Sequence, residues 1–225
     1  MTLNNDKTAM TRLSETGQVI LCALIIAAIA VWLPFYQAEA GSLLEHYDFS
    51  KTLVWQEPWR LISAHIFHLD ATHAGYNAAG LLVVSIFFAR HFNVRSWLNA
   101  ILVIAVATSI GVWIIDMPER FVGLSGLIHG LLVLSLLLEW AQQNYARTEW
   151  LAPLVLVLMA VKVGLEIVGL LDSQILLSQG SQFGYVHAAG MFAGLLAWRL
   201  HRRRLASIAQ AINPPATTDN NDTER

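Results

Sequence analysis

The sequence predicts an all-α, polytopic membrane protein, a bundle of six transmembrane helices, on three observations. Of its 225 residues 56% are hydrophobic and only 13% are charged, about half the charged share of a soluble domain, so most of its solvent is lipid. Apolar stretches of roughly 20 residues, enough to cross about 30 Å of hydrocarbon, can be read six times along the chain. Lys and Arg collect on one side of the resulting topology.

The apolar stretches run approximately over 18–36, 72–89, 97–115, 124–138, 151–171 and 183–200. Helices are the natural reading, because they satisfy their own backbone groups in lipid. Lys7, Arg12, Arg90, Arg95, Arg147, Arg199, Arg202, Arg203 and Arg204 fall on one side, against Lys51, Arg60 and Arg120 on the other. Both termini are therefore expected in the cytoplasm. The expected division is a cytoplasmic segment at 1–17, a membrane domain at 18–204 and a cytoplasmic tail at 205–225 that is disordered, at least over "NPPATTDNNDTER".

"AEA" at Ala38 to Ala40 resembles a signal-peptide cleavage site, but the apolar core before it is long for a signal and ends in Trp32, Pro34 and Tyr36, so the first span is read as retained. Between the first two spans, Tyr47, Phe49, Trp55 and Trp59 stand among charged residues, as in a loop lying at the membrane interface. The net charge of -2 points to no partner, and the single cysteine, Cys22, excludes an intramolecular disulfide and a cysteine metal cluster. The basic run Arg202 to Arg204 is explained by topology and anionic lipid, with no nucleic-acid partner.

Polar groups within spans are costly and mark candidate sites. Counting at about 1.5 Å per helical residue, Ser125 lies roughly 21 Å above Glu139, His187 roughly 18 Å above Arg199 and Asn77 roughly 20 Å above Arg90, with His73 one turn higher. Side chains from three spans thus converge on one level, in the half of the bilayer away from the cytoplasm. Gly126 and Gly130 on the fourth span, and Gly190 and Gly194 on the sixth, have the spacing that lets helix backbones approach closely. Such an approach brings the Ser125 hydroxyl toward the His187 imidazole, the nucleophile and base arrangement that activates a weak hydroxyl. A serine at a helix N-terminus also carries free backbone N–H groups for a developing oxyanion, and His73 and Asn77 add side-chain donors. Taken one at a time, the same residues read more readily as bridges between packed helices; taken together, with donors, nucleophile and base at one height, they favour catalysis.

"WR" at Trp59 and Arg60, "HAGYN" from His73 to Asn77, "GLSG" from Gly123 to Gly126 and "HAAGMFAG" from His187 to Gly194 resemble the rhomboid intramembrane serine proteases, in order and across all six spans. The resemblance implies a dyad with no third, acidic member: Ser125 as nucleophile and His187 as general base. It implies an oxyanion hole of His73, Asn77 and the Ser125 N–H, and a substrate-binding role for Gly123, which leaves room for the peptide backbone. It places the loop before the second span half in the membrane and the fifth span at the site of substrate access. It implies no cofactor.

One departure is His129, four positions after the serine, where many bacterial rhomboids have an aromatic residue beneath the catalytic histidine; it either fills the aromatic's place, tunes His187 or competes for the hydroxyl. "VGLSGLIHGLL" and the compact chain look most like the rhombosortase branch, which implies cleavage of GlyGly-CTERM tails, the transmembrane C-terminal tails of secreted proteins. It also implies residence in a bacterial inner membrane, with the active site opening to the periplasm.

Lys162 and Glu166 stand one turn apart in the fifth span, Lys162 level with the site and Glu166 about one turn higher. They read as a mutually neutralising pair or, alternatively, as one residue facing the cavity to recognise substrate or polarise water. His65 and His68 precede the second span, where capping and packing are favoured over a metal site because no HExxH or acidic cluster completes a first shell. Three competing functions follow: a rhomboid protease of other single-span substrates, a rhomboid-like pseudoenzyme, and a histidine-rich transporter or metal- or haem-binding membrane protein, suggested by eight histidines.

Overall fold

A computed structural model describes residues 3–40, 43–142, 150–171 and 180–212. Eight helices carry the described chain: α1 (Leu3–Ala40), α2 (Leu43–Tyr47), α3 (Arg60–Ser63), α4 (Ala71–Phe88), α5 (Val94–Ile115), α6 (Ser125–Ala141), α7 (Leu151–Ile167) and α8 (Gly180–Ile212). The protein is an all-α polytopic membrane protein, and its six long helices α1 and α4 to α8 follow the six apolar stretches in order. Among the described residues, Glu15–Tyr36, Ala71–His91 and Val94–Ile115 are each long and apolar enough to cross a membrane, and α6 is a shorter apolar helix.

Local chemistry sets several boundaries. Asp70 caps α4 by accepting the His73 N–H at 2.8 Å, and Asn93 and Ser96 exchange side-chain and backbone hydrogen bonds at 2.9 and 3.0 Å to start α5. Asp116 closes α5 in the left-handed conformation, φ 67°. Helix α7 stops at Ile167, short of the apolar stretch that runs to 171, because the chain turns at Gly169, whose φ is +74°. Helix α8 continues through residues 205–212, whereas the expected disorder of 213–225 lies outside the described residues.

Helix α6 is the centre of the bundle, with Leu127, Leu131, Leu134 and Leu138 buried in the core that it forms with α4, α5 and α8. Its most extensive partner is α8. At 17 residues α6 is about 25 Å long, less than the roughly 30 Å of hydrocarbon, so a helix reaching one membrane surface at Ala141 begins at Ser125 below the other. The outward faces, such as Leu21, Ile25, Phe87, Ile114, Val157 and Phe192, are exposed apolar side chains suited to lipid.

The connection between α1 and α4 folds over one end of the bundle. A two-residue antiparallel ladder, absent from the sequence reading, pairs β1 (Phe49–Ser50) with β2 (Arg120–Phe121) in the register Phe49 to Phe121, with those rings stacked at 4.8 Å. Arg60, 2% exposed, donates to the Asp48 carboxylate at 2.7 Å, the Glu57 carboxylate at 2.6 Å and the carbonyls of Glu45 and Asp48 at 3.0 and 2.8 Å. Arg120 donates to the other Asp48 oxygen at 2.6 Å. At the opposite end Arg90 and His91 both bond to Glu139, beside a cavity lined by Trp198, Arg202 and Arg204. Arg60 and Arg120 thus stand at one end of the bundle and Arg90, Arg202 and Arg204 at the other.

Candidate active site

Ser125 is the first residue of α6, so its backbone N–H is among the four that a helix leaves without an intrahelical acceptor. The turn before it is anchored through two backbone bonds. The Gly123 N–H donates to the Ala64 carbonyl at 2.8 Å, and the Leu124 N–H donates to His68 Nε2 at 3.4 Å. His68 in turn donates from Nδ1 to the Ile66 carbonyl at 2.9 Å, and His65 lies within 3.0 Å of the Ala105 carbonyl and 3.1 Å of the Ser109 hydroxyl. His68 thus braces the turn, while His65 packs against α5.

Gly123 has φ +114°, a conformation that L side chains rarely adopt. A Cβ there would lie 2.8 Å from His73 Nε2 and 3.3 Å from Asn77 Nδ2. The two α4 side chains therefore stand directly against the turn that leads into Ser125. Both are buried, and neither His73 Nδ1 nor Asn77 Nδ2 has a hydrogen-bond partner among the described residues.

His187 reaches the same place from α8 because the glycine pairs work as expected. A Cβ on Gly126 would lie 3.0 Å from the Val186 carbonyl oxygen, so the residue after Ser125 meets the residue before His187. One turn below, a Cβ on Gly130 would lie 2.6 Å from the Gly190 carbonyl oxygen. His129 donates from Nδ1 to the Ser125 carbonyl at 2.7 Å, and its ring stacks on that of His187 with centroids 4.1 Å apart and planes 16° from parallel. It occupies the place of the aromatic beneath the histidine.

Helix α7 adds two charged groups. Glu166, 3% exposed, puts Oε2 2.8 Å from His187 Nδ1 and Oε1 2.7 Å from Lys162 Nζ. Lys162 Nζ is also 3.3 Å from His129 Nε2 and 3.5 Å from His187 Nδ1. The neutralising pair expected from sequence is present, but its carboxylate also bonds to the histidine, which neither sequence reading of the pair had proposed. Counting placed Glu166 within about one turn of the site level, which was the available signal; which face of α7 turns inward was not readable. The remainder of α7 packs loosely, with only Ala152, Val163 and Glu166 buried.

The structure therefore gathers all five sequence-derived site residues, Gly123, Ser125, His187, His73 and Asn77, at the start of α6. A serine and a histidine brought together in a helical membrane bundle are what the class of intramembrane hydrolases requires. The family model for the rhomboid domain matches residues 55–204, well over half the chain, and the protein belongs to the rhomboid family of intramembrane serine proteases. No curated protein matches the sequence. As a member of this family, the protein acts on transmembrane segments within the membrane.

Proposed function

We propose that Ser125 and His187 form the catalytic dyad of this protease and that the chain is a rhombosortase, freeing secreted proteins from their GlyGly-CTERM tails. His187 takes the proton of the Ser125 hydroxyl as Oγ attacks the scissile carbonyl. The negative charge that develops on the carbonyl oxygen is met by the Ser125 N–H and by His73 and Asn77. Protonated His187 then gives its proton to the leaving amine, and water, activated by the same imidazole, hydrolyses the acyl-enzyme. Gly123 keeps the approach to Ser125 clear for the substrate backbone.

The observation that carries this reading is the contact of Gly123 with His73 and Asn77. It sets side-chain donors with no partner among the described residues beside a serine at a helix N-terminus. The charge asymmetry supports cytoplasmic termini, and the rhombosortase reading adds a bacterial inner membrane with the site open to the periplasm. On that orientation the loosely packed α7 borders substrate access.

The test co-expresses the protein, or its Ser125→Ala form, with a secreted reporter carrying a GlyGly-CTERM tail. Serine-dependent loss of the tail is expected. Survival of that tail, with serine-dependent cutting of other single-span reporters, would overturn the branch and leave a general rhomboid protease. Survival of every reporter, together with no labelling of Ser125 by a fluorophosphonate probe, would overturn the dyad.

A further inference from the structure

We infer that Glu166 is a positioning residue for His187, converting the dyad into a triad whose acidic member comes from α7. The inference rests on His187 being the general base. Its geometric basis is the 2.8 Å contact of Glu166 Oε2 with His187 Nδ1, inside a set of groups whose donor and acceptor roles favour the proton on that nitrogen.

A backbone carbonyl only accepts, so His129 Nδ1, 2.7 Å from the Ser125 carbonyl, carries its proton. The other nitrogen of a neutral His129 is then an acceptor, and it faces the Lys162 ammonium at 3.3 Å, a group that only donates. An ionised carboxylate only accepts as well. Its Oε1 takes a Lys162 proton at 2.7 Å, and its Oε2 takes the proton of His187 Nδ1. His187 therefore holds its proton on Nδ1 and its lone pair on Nε2, the tautomer in which Nε2 can take the proton of Ser125. The imidazolium formed on that transfer is stabilised by the same carboxylate.

The placement of Glu166 argues against simple neutralisation. It lies in the last turn of α7, where the helix macrodipole disfavours an acid, and it follows Lys162 in the less favourable order for a pair four residues apart. Its carboxylate is buried while the Lys162 side chain is 43% exposed, so the pair is not a compact ion pair hidden from its surroundings. Lys162 Nζ also stands 3.5 Å from His187 Nδ1. Without a carboxylate between them the ammonium would donate to that nitrogen and favour the proton on Nε2, the tautomer that cannot act as base. Burying an acid here disfavours folding, and orienting the base is a return that neutralising Lys162 alone does not give.

The experiment uses the full chain in detergent micelles, with kcat and KM measured on a single-span reporter and the His187 tautomer read from 15N chemical shifts. The variants are Glu166→Gln, Lys162→Ala/Glu166→Ala, Ser125→Ala and His187→Ala. In Glu166→Gln the single amide oxygen must serve two donors. We expect kcat to fall at least a hundred-fold with KM unchanged, and the His187 proton to move from Nδ1 to Nε2. The double variant removes both charges and so tests pairing apart from positioning; it is expected to stay as slow as Glu166→Gln. A double variant within threefold of the native kcat, or native His187 protonated on Nε2, would overturn the role of Glu166 while leaving the dyad standing. Cleavage that survives Ser125→Ala or His187→Ala would overturn the dyad and this inference with it.

Discussion

Gly190 of α8 packs so closely on Gly126 of α6 that a methyl group added to it would fall onto the Gly126 carbonyl. Gly194 meets the carbonyl of Gly130 in the same way one turn further along. The obstacle is backbone, which cannot swing aside as a side chain can, so the two helices would have to part.

Gly190→Ala is therefore expected to destabilise the bundle by about 3 kcal/mol and to lower its melting temperature in detergent by roughly 6–12 °C. Gly17→Ala is the control, since nothing lies within 4 Å of the position its Cβ would take; its helix should hold or gain slightly. Equal melting temperatures for the two variants would contradict the close approach of α6 and α8.

At Gly123 the expected defect is catalytic as well as structural. An alanine there must hold φ near +114° and push its Cβ against His73, with backbone strain on the order of 1–3 kcal/mol. Gly123→Ala should retain its helical circular dichroism but label with a fluorophosphonate at least a hundred-fold more slowly. Labelling at the native rate would remove Gly123 from the site.

Asn77→Ala separates catalysis from stability. The Asn77 amide nitrogen has no hydrogen-bond partner among the described residues, so deleting it should change the melting temperature little. If it serves the oxyanion, kcat should drop by about 10²–10³. A native kcat in this variant would count against that role.

Arg60 and Arg120 both bond to Asp48 but should differ in worth. Arg60 is buried and also holds Glu57 and two carbonyls, whereas the Arg120 side chain is half exposed. Arg60→Ala strands a largely buried carboxylate and should cost about 3–5 kcal/mol; Arg120→Ala should cost about 1 kcal/mol or less. Thermal unfolding of the two variants in detergent checks the order.

The histidines before α4 predict how stability varies with acid. Burial pushes His65 down to about 4, and burial together with neighbouring His73 pushes His68 down to about 3. The unfolded chain, with ordinary histidines near 6.5, binds more protons than the folded one between about pH 3 and 6.5. This contribution to stability is present above pH 6.5 and is lost as pH falls toward the folded values. Melting temperature should decline on acidification across that window, and the decline should be shallower in a His65→Gln/His68→Gln variant; an unchanged slope would contradict the assignment.

The features legible in the sequence are those that act over short stretches of chain. Hydropathy marked the spans Glu15–Tyr36, Ala71–His91 and Val94–Ile115 within a few residues, because transfer into lipid is a sum over neighbouring side chains. The glycine pairs announced the α6 and α8 contact because Gly126, Gly130, Gly190 and Gly194 leave a helix face without side chains. Height along a helix followed from counting, which brought Ser125, His187, His73 and Asn77 to one level. The hold of Arg60 on Glu45, Asp48 and Glu57 and the ladder between Phe49 and Phe121 were not legible, since they join segments with no strong period of their own, in the ladder 72 residues apart.

The sequence by itself determined that this chain is a helical membrane bundle with a serine and a histidine at the same depth, because burial preference and helical rise are local quantities. Only the tertiary structure decided which way each helix turns about its own axis. That rotation aims Glu166 at His187 instead of at lipid and stacks His129 beneath the same ring. Helix rotation is fixed by packing against neighbours from distant parts of the chain, and α7, apolar on nearly every side, carries too little amphipathic pattern to disclose it.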